Sequence, residues 1–381
     1  MFLLERTISL LVYAFALFVA YQLIARVARK QYKVVLLMYL IALAIFAFNY
    51  KPYITADLYR LREYIEYWIH KDLNGVLKYA MRSSTPSWVL YSYALSRLGN
   101  INWIQTITCL WCFGNVFYII GREIEHLEIQ GPFRSVLLFY VMGVGAFYLQ
   151  TISGIRSMLG ISIVAFCLYR ETVENKKVVW HLPLWIFAAL LHTSTMVLVI
   201  SRFLFLLIQS KGATKKFLMG IVILAGALFS FKYMGSFISG SFEYGKGYLT
   251  DSKEYTYIWE QIIGIIETIE TGYVLRAFHR TILCASDKKI SSKKSLYLFT
   301  LIWTAISVIA LPFSYAIFRR YTMLCTITSI PLVSELFKND RADKYRRTLF
   351  YFSFIFLPYP EFVEICADIN SLYLVERRVE N

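Results

Sequence analysis

Apolar runs separated by short, mostly basic punctuation make up most of this chain. Runs near the ~17–25 residues that carry a helix across a bilayer lie at 7–24, 34–50, 101–121, 135–150, 153–169, 217–234, 258–283, 296–313, 321–337 and 348–363. One further run, 182–208, is too long for a single comfortable crossing and is interrupted by His192, Thr193, Ser194 and Thr195. The run 258–283 is the least regular, because Glu260, Glu267 and Glu270 fall near one helical face and read as bundle-facing or interfacial. The pattern predicts an all-α polytopic membrane protein. It forms a single integral membrane domain over 1–381, with no soluble domain large enough to bury a core of its own.

Charge sets the expected topology. If the loop carrying Arg26, Arg29, Lys30 and Lys33 is cytoplasmic, alternation places 122–134 and 170–181 on the same side, with Arg122, Arg134, Arg170, Lys176 and Lys177. The next basic loop, Lys211, Lys215 and Lys216, joins them only if 182–208 leaves and re-enters on one side, as a hairpin of two half-helices with His192 near its turn. Lys288, Lys289, Lys293 and Lys294, then Lys338, Arg341, Lys344, Arg346 and Arg347, then also fall inside. The expectation is about ten spans plus this re-entrant hairpin, both termini outside, and an extracytoplasmic loop at 51–100. The first run reads as a retained span, because Arg26, Arg29 and Lys30 follow it where a cleavage site would need small residues. Within the long loop, Ser83-Ser84-Thr85-Pro86 predicts a short helix with proline in its first turn. Its Trp88, Tyr91 and Tyr93 are expected at interfacial positions, on the membrane surface.

Composition agrees: 58% of the 381 residues are hydrophobic, 17% are aromatic, and the mean hydropathy is +0.52. A net charge of +15 would ordinarily suggest nucleic acid. Here the cations sit in short loops between apolar runs, so orientation in the membrane explains them and no nucleic-acid partner is expected. The six cysteines imply no disulfide framework, and Cys109 and Cys112, inside an apolar run without a second pair or a histidine, read as packing residues. No metal-ligand cluster or acidic pair of the DxD type is evident, so neither metal nor cofactor is expected.

Four groups of residues carry candidate chemistry. Arg156 follows Gly154 and Ile155 at the start of an apolar run that holds no other charge as far as Tyr169. The first turn of a helix is the positive end of its dipole, so a cation there makes sense chiefly where an anion docks. Arg319 and Arg320, ahead of the Tyr321 run, repeat the arrangement, and two such positions converging would suit a diphosphate. Asp57 and Arg60 have the spacing of a solvated ion pair on a helix; the functional reading makes Asp57, or Glu63 or Glu66 beside it, a base toward a sugar hydroxyl. His192 lies deep in an apolar run, with Ser194 among the hydroxyl residues able to cap the second half-helix, and helix breaks at membrane depth line cavities.

Taken in order, Asp57 with its tyrosines, Gly154-Ile155-Arg156, His192-Thr193-Ser194 and Arg320-Tyr321 resemble the EpsG family of Wzy-type polysaccharide polymerases, over roughly residues 50 to 330. Where relatives often show Asn-x-x-Arg-Gln, this chain has Ser153 and Ser157 around the arginine. The resemblance implies a GT-C-like glycosyltransferase, multi-pass in the bacterial inner membrane. It would polymerise undecaprenyl-diphosphate-linked repeat units at the outer face into O-antigen, capsule or exopolysaccharide. Implied partners are the lipid-linked glycan donor and acceptor, membrane lipids and a chain-length regulator. Asp57 and His192 would be catalytic, and Arg60, Arg156, Arg319, Arg320, Tyr321 and Ser194 would bind substrate. Two other classes use the same residues: a lipid-linked oligosaccharide flippase would bind diphosphate without chemistry, and a membrane O-acyltransferase would use His192 as base.

Overall fold

Helices, and no strand, make up the regular structure of the computed structural model, which describes residues 2–28, 31–52, 57–142, 147–209, 258–284, 291–339, 342 and 344–349. They are α1 (Phe2–Arg26), α2 (Tyr32–Asn49), α3 (Asp57–Ile69), α4 (Leu73–Arg82), α5 (Pro86–Ser96), α6 (Trp103–His126), α7 (Pro132–Met142), α8 (Phe147–Ser153), α9 (Ile155–Thr172), α10 (Leu182–Ala189), α11 (Thr193–Gln209), α12 (Ile258–Phe278), α13 (Ser291–Ala310) and α14 (Tyr315–Lys338). Among them α2, α6 and the Lys293–Ala310 stretch of α13 are long and apolar enough to cross a membrane. The run at 217–234, most of that at 348–363 and the loop carrying Lys211, Lys215 and Lys216 lie outside the described residues.

The centre is built by α9 and α14. Their side chains are buried around nearly the whole circumference, which is the signature of helices enclosed by other helices. Hydroxyl side chains join neighbours where the apolar effect gives little help inside a membrane. Tyr140 Oη lies 2.6 Å from Ser329 Oγ between α7 and α14, and Thr300 Oγ1 donates to Thr328 Oγ1 at 2.9 Å between α13 and α14. Tyr32 Oη donates to the Gly121 carbonyl at 2.9 Å and joins α2 to α6.

The chain reverses where the broken run predicts it. After Leu190 and His192 the direction turns over, and α11 returns along α9: Thr195 packs so closely on Gly160 that an added Cβ would lie 2.4 Å from Thr195 Cγ2. At the far end of α9, Glu171 accepts from Trp185 Nε1 at 2.6 Å on α10 and from Arg202 Nη2 at 3.2 Å on α11. Both legs of the hairpin are thus tied to the same end of α9.

Three expectations change. The stretch 51–100 holds α4 in addition to the helices expected at Asp57 and at Pro86, and Arg97, at the end of α5, fastens it to α3 by donating to the carbonyls of Trp68 (3.0 Å) and Ile69 (3.1 Å). The helix opening at Pro86 is present, but Trp88 and Tyr91 are buried rather than interfacial: Tyr91 Oη lies 2.9 Å from Thr108 Oγ1, and its ring packs against Trp111 and Phe187. Of the run 135–150, α7 and α8 cover the described residues, and 143–146 lie outside them. Lys293, expected in a basic loop, is inside α13 and buried, where it pairs with Glu123 at 2.9 Å and Glu335 at 3.0 Å. Glu267 and Glu270 face the bundle, as their spacing suggests.

A labelling experiment checks orientation. In a Cys284→Ser background, which removes the exposed cysteine of the described residues, a membrane-impermeant maleimide is expected to label Lys71→Cys in intact cells and to leave Lys176→Cys unlabelled until the cells are opened. Labelling of Lys176→Cys in intact cells would reverse the topology.

Candidate functional site

Arg156 is the second residue of α9, and Gly154, at its N-cap, supplies no side-chain bond to the first turn. The amides there keep their positive field, and a guanidinium is added to it. Arg156 is half-buried, with Cζ 5.8 Å from the centre of the Trp88 ring, and it makes no ion pair among the described residues. Trp88 is held in turn by the hairpin, because the Ser87 amide donates to the Leu190 carbonyl at 3.2 Å. Helix α5 therefore joins the start of α9 to the hairpin turn.

His192 stands at that turn. Its Nδ1 accepts the Ser194 amide N–H at 3.1 Å and lies 2.8 Å from Ser194 Oγ. An amide can only donate, so Nδ1 is the acceptor and the neutral ring carries its proton on Nε2. Thr195 Oγ1 ties the turn down further, 2.7 Å from the His192 carbonyl and 2.6 Å from that of Ala188. Two guanidinium groups, Arg320 and Arg156, act electrostatically on this imidazole. Positions 156, 192 and 320, far apart in sequence, thus converge.

The paired arginines separate. Helix α14 begins at Tyr315, well over a turn before the apolar run at 321, so Arg319 and Arg320 sit in its second turn, about 100° apart around the axis. Arg319 points inward, is 5% exposed and forms an ion pair with Glu267 of α12. Arg320 is half-buried and lies within electrostatic reach of His192. Tyr321 is buried, its ring centre 4.6 Å from that of Trp303.

Asp57 opens α3 and pairs with Arg60 at 2.5 Å on an exposed surface, which matches the solvated i,i+3 pair expected from spacing. The same helix brings Tyr64 to the centre. Tyr64 packs edge-on against Trp68 and lies within the field of Arg156. Burial, reinforced by Tyr79, raises the Tyr64 phenol above its usual range, so it stays a proton donor near neutral pH. Asp57 lies seven residues before it, about 10 Å along the helix. The places of Trp88 and Tyr64 beside Arg156 escape sequence reasoning, because an aromatic between apolar runs signals an interface as readily as a stacking platform.

The arrangement gathers two cations, an imidazole N–H donor and two aromatic rings around the start of one helix. It can bind an anion with several oxygens and stabilise negative charge that develops on it. The sequence profile of the EpsG family matches residues 61–373. The matched stretch contains Arg156, His192, Ser194, Arg319, Arg320 and Tyr321, and begins just after Asp57 and Arg60. No curated protein and no solved structure matches the chain.

Proposed function

The chain belongs to the EpsG family, helical membrane proteins of polysaccharide biosynthesis, and from that premise we propose that it polymerises undecaprenyl-diphosphate-linked repeat units into a surface polysaccharide. In this reading one domain of about ten spans and a re-entrant hairpin, with 51–100 outside, works at the outer face of the bacterial inner membrane. The observation that carries it is the convergence of Arg156 and Arg320 on His192.

The acceptor hydroxyl of the incoming unit attacks the anomeric carbon of the growing chain, and the bond from that carbon to its diphosphate oxygen breaks. The bonding pair leaves with the lipid diphosphate, where Arg156 and Arg320 hold the charge and His192 Nε2–H adds a donor. Asp57 takes the hydroxyl proton in this scheme, with Glu63 and Glu66 as the alternatives on the same helix. Its pair with Arg60 is exposed and costs little to exchange for a substrate contact. Arg319, buried and paired with Glu267, ties α14 to α12 beside Arg320, and Ser194 fixes the imidazole.

Purified protein supplied with synthetic lipid-linked repeats is expected to produce a ladder of longer glycans. Transbilayer movement without lengthening would make it a flippase, and acyl transfer without lengthening an O-acyltransferase. Asp57→Asn, nearly isosteric, is expected to abolish extension while leaving repeat-unit binding intact. His192→Gln impairs extension less completely, because glutamine can still donate a hydrogen bond. Wild-type turnover by Asp57→Asn would remove Asp57 from the mechanism.

A further inference from the structure

A groove of about 440 Å³ lies between α2 and α6, at the opposite end of α9 from Arg156. Leu36 and Leu40 on one helix and Phe117 on the other form its walls, Gly114 forms part of its floor, and Lys33 and Arg122 stand at its mouth. The volume falls in the range of roughly 300–1,000 Å³ typical of small-molecule sites. Its outer surroundings are apolar: Val34, Leu37, Met38, Ile41 and Ile45 of α2 are all exposed, the composition of a face that meets lipid chains.

Gly114 shows that the space is kept open. A glycine inside a helix weakens it, and usually a close helix contact or a left-handed backbone explains the choice. Neither applies, because a Cβ built on Gly114 meets nothing within 4 Å.

Charge at the mouth identifies the occupant. Lys33 pairs with Glu125 at 3.1 Å, Arg122 with Glu125 at 3.1 Å and Glu174 at 2.9 Å, and Arg170 with Glu174 at 2.5 Å. Burial would raise the Glu174 carboxyl, but hydrogen bonds from Arg122 and Tyr118 outweigh it and hold it below the usual range. Among the described residues three cations thus face two carboxylates, one positive charge in excess, and a single phosphodiester would balance it. Lys33, 56% exposed and paired among the described residues with the exposed Glu125 alone, is the cation most easily turned to a new partner.

We propose that this groove binds one acyl chain of an anionic phospholipid of the surrounding membrane, with its phosphate at Lys33 and Arg122. The proposal rests on α2 and α6 spanning the membrane and not on polymerase activity, so either can fail without the other.

The test uses the full chain, purified in detergent, delipidated and titrated with phosphatidylglycerol, phosphatidylcholine or undecaprenyl phosphate under native mass spectrometry. Wild-type protein is expected to retain one phosphatidylglycerol in preference to phosphatidylcholine, and Lys33→Gln to bind it about tenfold more weakly. Gly114→Leu fills the groove and improves helix propensity, so it is expected to lose the bound lipid without losing melting temperature in detergent alone. Leu37→Trp fills the groove from the exposed side of α2 and serves as a second variant should Gly114→Leu fold poorly. Equal retention of the two lipids, undiminished phosphatidylglycerol binding in both filled variants, or preference for undecaprenyl phosphate would each overturn the assignment.

Discussion

Arg156→Lys is expected to cut polymer formation by about 10²-fold while protein abundance stays near wild type, and Arg156→Ala to be at least as severe. Lysine keeps the charge but replaces a planar fork, able to hold two diphosphate oxygens at once, with a single strongly hydrated ammonium. The fold does not depend on this guanidinium. Arg156 is half-buried, makes no ion pair among the described residues and contacts Trp88 only by its face, so its removal leaves no buried partner uncompensated. Arg320→Lys is expected to follow it, because both charges act on His192. Polymer length in a complementation assay, read beside membrane abundance, is the measurement. Full-length polymer from both Arg156 variants would reduce the arginine to an anchor at the membrane boundary.

What could be read from the chain divides along physical lines. Local signals sufficed for the helix start at Pro86, for the reversal at His192 and for Arg156 in the first turn of a helix. Each of these depends on a few adjacent residues and on the backbone's need to satisfy its own hydrogen bonds. The roles of Arg319 and Arg320 did not follow in the same way. Neighbours in sequence, they diverge in space because a helix turns about 100° per residue, and Glu267, 52 positions away, decides which one is neutralised. Trp88 and Tyr91 were misplaced for a related reason: an amphipathic ring suits a membrane interface and a packed seam equally, and only Thr108, Trp111 and Phe187 settle the matter. By its neighbours in sequence Lys293 reads as a solvated topological marker. It is a buried cation whose acids come from two other helices.

That lysine is expected to matter most for folding. Its Nζ is 2.9 Å from Glu123 Oε2, 3.0 Å from Glu335 Oε1 and 3.3 Å from the Pro331 carbonyl, and Tyr169 Oη donates to the other oxygen of Glu123 at 2.9 Å. One ammonium thus links α13 to α6 and α14, and through Glu123 to α9. The Glu123 side chain is fully buried, so its charge depends on the lysine for compensation. Lys293→Met keeps the apolar stem and removes the charge, leaving a carboxylate enclosed without a cation. The expected cost is about 3–5 kcal/mol, seen as lost folded yield in mild detergent by size-exclusion chromatography. Adding Glu123→Gln should recover most of it, because a neutral amide can still accept from Tyr169 and no longer needs the ammonium. A merely crowded site would respond differently, with the two substitutions adding their costs. A Lys293→Met protein as well folded as wild type would show that water or a rearranged partner already screens Glu123, and that the four helices are held by apolar packing alone.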